Sequence, residues 1–259
     1  MMLLILILRI ESPRLKSVKG EAMNILVLMA GPYKDSYEQN LSFPKYLVEI
    51  QHKPLIQRII ESLTKLSSNI ICLIRGEDQE QSYLGDTLKI LCPSCKVIEI
   101  SGETKGAVCT ALFAISEIDN SEELLVLNGD QLIKTDIMPA IKQFRERDLD
   151  AGIIVFKAVH PRYSFILLDN EGYVIQTSEK RPISSIASTG CCYFKCGTDF
   201  VKSAFAVIEK DASIQGKYYV SSIFNEMVLM QKKIGIFEIN KKDYIPIVKE
   251  LMKNKMHGE

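Results

Sequence analysis

Asn24-Ile25-Leu26-Val27-Leu28-Met29-Ala30-Gly31 is an apolar run that ends on two small residues. It reads as the first strand of an α/β domain, and the small residues after it let backbone amides approach a phosphate. Outward from it, short β-branched runs alternate with longer amphipathic segments. The candidate strands are Ile25–Met29, Asn69–Ile74, Lys96–Ile100, Leu124–Asn128, Ala151–Val159, Thr189–Phe194 and Ile234–Ile239. Helical spacing marks Pro54–Leu66, Gly106–Ile115, Ile137–Phe144, Asp199–Ile208 and Tyr219–Met230. Ser164–Leu168 and Tyr173–Gln176, joined by Asp169-Asn170-Glu171-Gly172, read as an antiparallel hairpin. The order predicts a single Rossmann-like α/β domain over 23–259: a mixed, mostly parallel sheet flanked by helices, with a small β-hairpin insertion.

Composition narrows the classes. The chain has 259 residues, 47% of them hydrophobic, enough for a sizeable core, which excludes disorder. Lysine plus arginine number 32 and aspartate plus glutamate number 32, so no net field draws in nucleic acid or an anionic membrane. Seven cysteines is an odd count, and several sit in apolar runs, which suits reduced thiols and a cytoplasmic protein. Met1–Leu8 is apolar but shorter than the roughly 20 residues of a bilayer span, and charged residues follow it in place of a cleavage site. Residues 1–22 read as a non-native extension ahead of a natural start at Met23; a peripheral anchor and an extra packed element are the alternatives.

Ligands of open α/β sheets bind beyond the carboxyl ends of the strands, so the loops there carry the chemistry. The first reads Ala30-Gly31-Pro32-Tyr33-Lys34-Asp35 and leads to Phe43-Pro44-Lys45-Tyr46; its lysines offer mobile positive charge. The second, Ser101-Gly102-Glu103-Thr104-Lys105-Gly106-Ala107, enters a helix of small residues, with Gly106 permitting close backbone approach. The third, Asn128-Gly129-Asp130-Gln131, places a hard oxygen ligand suited to Mg²⁺ at a strand end. The fourth, Thr177-Ser178-Glu179-Lys180-Arg181-Pro182, offers a hydroxyl acceptor beside a phosphate partner, with Ala187-Ser188-Thr189-Gly190 following. Each alone also suits an ordinary surface turn. Cys92-Pro93-Ser94-Cys95 has redox or half-zinc spacing but lacks a second pair, and reads as a surface turn. Tyr218 and Tyr219 open a helix and either pack the core or stack on a ligand.

In this order the loops resemble the sugar-1-phosphate nucleotidyltransferases, the pyrophosphorylases that make nucleotide sugars. The likeness runs from Met23 to about Asp243, and Thr104-Lys105-Gly106-Ala107 with Asp130-Gln131 is similar to a compact branch from capsule and lipopolysaccharide biosynthesis. The resemblance implies in-line attack of a sugar-1-phosphate on the α-phosphorus of a nucleoside triphosphate, with Mg²⁺ as cofactor. It assigns Ala30, Gly31 and Lys34 to the triphosphate, Lys45 to the reacting phosphates, and Gly106 and Ala107 to the base. Asp130 would hold the metal beside Gly129, Glu179 would accept sugar hydroxyls, Lys180 would bind the sugar phosphate, and Gly190 would keep the backbone near the sugar. Asp130→Ala and Lys45→Ala are expected to keep the fold and abolish turnover.

Two departures matter. The family's Gly-x-Gly-x-Arg is Gly31-Pro32-Tyr33-Lys34-Asp35 here, so the second glycine and the bidentate arginine are missing. The second metal aspartate is also missing, leaving Asn225, Glu226 or Asp243 as candidates. A catalytically weak, nucleotide- or sugar-phosphate-binding regulator, transfer to a non-sugar phosphate, and a metal-dependent glycosyltransferase remain alternatives. The expected partners are the two substrates, with no nucleic acid and no stable membrane span; a homo-oligomer is left open.

Overall fold

The computed structural model describes residues 23–31, 43–67 and 69–246. Residues 1–22, the subject of the extension reading, lie outside them, as does Lys34. Strand β1 (Met23–Met29) is buried along its whole length, as a central strand covered on both faces must be. Ile25, Val27 and Met29 enter one apolar core and Leu26 and Leu28 the other.

The chain continues through α1 (Leu55–Leu63), β2 (Ile70–Arg75), α2 (Gly76–Ser82), α3 (Leu84–Leu91), β3 (Lys96–Ile100), α4 (Ala107–Leu112) and α5 (Ile115–Ile118). It then forms β4 (Glu123–Asn128), β5 (Gln131–Ile133), α6 (Met138–Glu146), β6 (Ala151–Lys157), β7 (Ser164–Leu168) and β8 (Val174–Glu179). The last described elements are β9 (Ile186–Phe194), α7 (Gly197–Glu209), α8 (Val220–Leu229), β10 (Ile234–Glu238) and β11 (Tyr244–Pro246). Nine strands form one sheet, running β8-β7-β9-β4-β1-β2-β3, with β6 paired to β9 and β10 to β6. Only β8 and β9 run against the direction of β1, so the sheet is mixed and mostly parallel. β5 and β11 form a separate two-stranded ribbon.

The helices cover both faces. α1, α3 and α6 enclose the core that contains Tyr193, while α4, α7 and α8 enclose the other, where Phe194 packs on Phe200 and stacks on Phe224. Tyr193 donates to Glu123 at 2.5 Å, and Arg145 grips the same carboxylate, tying β9, β4 and α6 together.

Several boundaries differ from the sequence reading. The single helix expected over Gly106–Ile115 is two, because Phe113 and Ala114 switch to tighter three-residue bonds to Thr110 and Ala111. α2 and α3 escaped the reading: Gly76–Ser82 is polar throughout, and the left-handed Tyr83 divides the pair. β8 extends to Glu179 and β9 begins at Ile186, three residues before the expected Thr189, so Glu179 and Ser188 lie in strands, not loops. Cys92 and Cys95 flank an exposed Pro93-Ser94 turn, but both sulfurs are buried, with Cys95 against Cys72. The surface-turn reading therefore holds for the two residues between them and fails for the cysteines.

Candidate active site

The strand order reverses between β1 and its neighbours β2 and β4, and the crevice opens there, beyond the carboxyl ends of β1 and β4. Gly31 follows β1 and Asn128-Gly129-Asp130 follow β4, with the Gly129 amide donating to Leu28 O at 2.9 Å. A cavity of about 310 Å³ occupies the crevice. Gly31, Lys45, Gly106, Ala107, Asp130, Glu179 and Gly190 all line it.

Lys45 arrives on a single 3₁₀ turn, Lys45–Leu47, after Pro44. Tyr46 pins this turn to the end of β1 by donating its hydroxyl to Met29 O at 2.5 Å. The lysine is only 1% exposed yet faces the cavity, so its charge is held in a low-dielectric wall. Asp130 is half-buried, and its carboxylate accepts no hydrogen bond and makes no ion pair among the described residues. A carboxylate in that state suits a hard cation that brings phosphate and water as its other ligands, as Mg²⁺ does. Asp130 would hold that ion. The described residues contain no group of three or more His, Cys, Asp or Glu that could enclose a metal alone. Asn225 is bonded to Thr177, Glu226 pairs with Lys210, and Asp243 is not on the cavity wall, so the second-ligand candidates are otherwise engaged or elsewhere.

Glu179 ends β8 with one oxygen, Oε2, held by the Ser164 hydroxyl and by Ser221 at 3.1 Å. Lys180 adopts a left-handed φ of 55°, a conformation that non-glycine residues enter at a cost and that gathers at functional sites. Its amide donates to Tyr163 O at 3.0 Å, and its ammonium donates to the Tyr219 hydroxyl at 3.0 Å. Tyr219 lines the cavity, so Lys180 reaches the wall through it.

The glycines have internal reasons as well. A Cβ on Gly106, at φ 109°, would lie 2.5 Å from Tyr218 O, so the space beside it is filled by protein backbone. A Cβ on Gly190, at φ 80°, would meet the amides of Gln131 and Asn128 at 2.4 and 2.7 Å. Gly190 sits where the β9 register slips between Ser188 and Cys192, a bulge that bends the strand over the site. A Cβ on Gly129 would strike Met29, and Ala30 is buried; neither of these two is on the cavity wall.

Other wall residues escaped the sequence reading. Thr104 and Thr110 share a hydrogen bond of 2.6 Å beneath Gly106. Tyr244 donates its hydroxyl to Gln131 and stacks on Phe156 with centroids 4.5 Å apart. Its hydroxyl pKa is pushed well above the usual value, first by burial and then by the Asp130 charge and Tyr163, with Arg162 opposing. Arg162 and Lys217 complete the cationic part of the wall. The signals for them were faint: Pro161 before the hairpin, and the Gln215-Gly216 turn pair. Tyr218 packs inward and Tyr219 faces the cavity, so the two tyrosines divide the alternatives between them.

Comparison with known proteins adds to this geometry. A family profile described as "Nucleotidyl transferase" matches residues 40–237. The chain is 26% identical over 218 residues to the bifunctional protein GlmU of Methanocaldococcus jannaschii, covering 83% of this chain and 49% of that protein. It is 24% identical over 160 residues to the low-salt glycan biosynthesis nucleotidyltransferase Agl11 of Haloferax volcanii, covering 58% and 43%. The chain thus spans about half the length of these curated relatives. Among solved structures, a nucleoside-diphosphate-sugar pyrophosphorylase from Vibrio cholerae superposes with a TM-score of 0.76 at 20% identity, over 88% of this chain and 99% of that one. HddC from Yersinia pseudotuberculosis, complexed with GMP-PN, superposes at 0.62 and 18% identity, over 91% and 99%. At these identities the two superpositions establish the fold.

Proposed function

Since the chain belongs to the nucleotidyl transferase family, we propose that it transfers a nucleoside monophosphate from a nucleoside triphosphate to a sugar-1-phosphate, releasing pyrophosphate. The observation that carries this reading is the gathering of Asp130, Lys45 and Glu179 around one cavity, with Lys180 joined to its wall. The product is a nucleotide-activated sugar for surface polysaccharide or glycan synthesis, made in the cytoplasm where triphosphates are at hand.

In this reaction an acceptor phosphate oxygen attacks the α-phosphorus in line as pyrophosphate leaves, and the protein contributes positioning and charge stabilisation. Lys45, fixed by the Tyr46 anchor, meets the charge that builds on the reacting phosphates without having to reorganise. Gly31, with no atom of the described residues within 4 Å of where a Cβ would stand, lets the backbone approach the triphosphate, while Gly106 and Ala107 border the base. Lys180 orients the acceptor phosphate. Glu179 keeps Oε1 as acceptor for a sugar hydroxyl because both serines spend their protons on Oε2. A Mg²⁺ ion held at Asp130 would supply neutralisation of phosphate oxygens.

A screen of nucleoside triphosphates against sugar-1-phosphates and other phosphate acceptors with Mg²⁺, read by pyrophosphate release, tests this. Release with at least one pair is the expected result. The missing arginine and the presence of Asp35 in the first loop favour one rival, a nucleotide-binding homologue with weak catalysis. Tight triphosphate binding with no pyrophosphate from any pair would establish that rival.

A further inference from the structure

We propose that Cys92 and Cys95 form a peroxide-responsive dithiol site, in which Cys95 reacts with hydrogen peroxide and Cys92 closes a disulfide on it. Neither residue lines the candidate active-site cavity, so the inference stands apart from the functional reading above.

One turn at the edge of the sheet builds the site. Cys92 caps the end of α3, its amide donating to Leu88 O at 2.8 Å, and Cys95 is the last residue before the edge strand β3. The Cys95 amide donates to Cys92 O at 3.0 Å, closing a four-residue turn with Pro93 at its second position, where the ring's fixed φ fits. Such a turn holds its end Cα atoms within about 7 Å, and a disulfide spans about 4.4–6.8 Å, so the pair can be bridged with the flanking elements in place. A third thiol comes from the neighbouring strand. Cys72 pairs with Val97 in the β2–β3 register, and Cys95 stands two residues before Val97, on the same side of the sheet. All three cysteines enter one core, and the Cys95 sulfur is hydrogen-bonded to those of both Cys72 and Cys92.

These contacts favour the Cys95 thiolate, the form that reacts with peroxides. Its pKa lies below the ordinary thiol value, first because the Cys72 thiol donates to its sulfur; burial opposes this, and the Lys89 charge and the Cys92 thiol add to it. Lys89 is fixed nearby by donating its ammonium to Cys95 O. Pro93 and Ser94 are exposed, and the Ser94 hydroxyl lies 3.6 Å from Cys92 Sγ, so the sulfurs sit directly beneath a surface turn. Local opening of the bond between Cys95 N and Cys92 O admits an oxidant little larger than water. The Cys95 thiolate attacks one peroxide oxygen; an S–O bond forms, the O–O bond breaks, and the departing hydroxide takes up a proton. The Cys92 thiol then attacks the Cys95 sulfur, forming S–S and breaking S–O, and the second hydroxide leaves as water with the Cys92 proton. Two thiols lose two electrons and two protons, and one peroxide becomes two waters. Cys191 and Cys192 provide the contrast within the same chain, since burial pushes the Cys191 thiol up to about 12 and raises Cys192 well above its ordinary value.

The test treats the folded full chain with hydrogen peroxide and reads its tryptic peptides by mass spectrometry. Cleavage after Lys89 and Lys96 releases residues 90–96, which hold both cysteines. This peptide is expected to lose two hydrogens about tenfold faster than Cys191 and Cys192 are consumed, and to regain them with dithiothreitol. In Cys92→Ser, Cys95 should stop as a sulfenic acid that dimedone captures. Cys72 is a positioning residue: Cys72→Ala should move the pH profile of Cys95 alkylation upward, and Cys72→Ser, whose hydroxyl also donates, should restore it. An unshifted profile in Cys72→Ala would overturn the part given to Cys72. A peptide that keeps its hydrogens, a bridge from Cys72 to Cys95 in its place, or consumption of all the thiols at one rate would overturn the site itself.

Discussion

Lys45 is enclosed almost completely, so replacing it with alanine would remove three methylenes from a packed wall as well as a charge. The sequence expectation that Lys45→Ala keeps the fold intact therefore needs amending. Lys45→Ala should cost about 2 kcal/mol of stability, whereas Lys45→Met fills the volume and should match the parent in chemical denaturation while losing pyrophosphate release. Asp130 is the opposite case. Its carboxylate supports nothing else among the described residues, so Asp130→Asn should change unfolding free energy by less than about 1 kcal/mol and abolish Mg²⁺-dependent turnover; residual turnover near the parent rate would remove it from the metal site. Asp130 was legible in the sequence because it sits just beyond a strand end, and Lys45 because the first loop leads to it; an α/β sheet concentrates its chemistry in such loops. Arg162 and Lys217 were not, because only the long-range stitching at Tyr163, Lys180 and Tyr219 turns two ordinary surface cations toward one crevice.

Among the elements, β8 is the edge of the sheet, and helix α8 does what a neighbouring strand would otherwise do. Thr177 donates its amide to Asn225 at 2.8 Å and its hydroxyl to Ser221 O at 2.5 Å, while Asn225 returns a bond to Thr177 O at 3.1 Å. Glu179 and Lys180 thus inherit their positions from a helix whose own face is fixed by the Phe224 stack. Asn225→Ala should destabilise by about 1–3 kcal/mol through unpaired backbone groups. It should also speed amide exchange at Thr177 and raise KM for the acceptor with little change in KM for the triphosphate. Equal changes in both KM values would deny this helix a special hold on the acceptor end. Alternation and helical spacing made the strands and larger helices visible before the structure. They misplaced the end of β8 and the start of β9, because Ser, Thr and Gly in these strands follow the bulge and the site, not a periodic burial pattern.

At the scale of the whole molecule, two cores share one sheet, and buried tyrosines respond to pH in one direction. Burial, and then the Glu123 carboxylate, raises the Tyr193 hydroxyl above its ordinary value, and burial does the same for Tyr244. In the unfolded chain these protons leave near pH 10, while the folded chain retains them. Stability is therefore full below about pH 10 and declines as pH rises beyond it until the folded hydroxyls ionise. Tyrosinate absorbance from this pair should appear together with loss of circular dichroism on alkaline titration; ionisation ahead of unfolding would show that the two sites are wetter than their burial implies.

The pairing of β11 with β5 sets a timetable for biogenesis. The Tyr244 hydroxyl meets Gln131, a neighbour of Asp130, across 113 positions of sequence. On the ribosome, the turn that carries Asp130 emerges long before the segment that braces it. A nascent polypeptide halted short of Tyr244 would carry most of the sheet and an unfinished cavity, so the proposed activity should arrive late in translation, in one step, and not accumulate strand by strand.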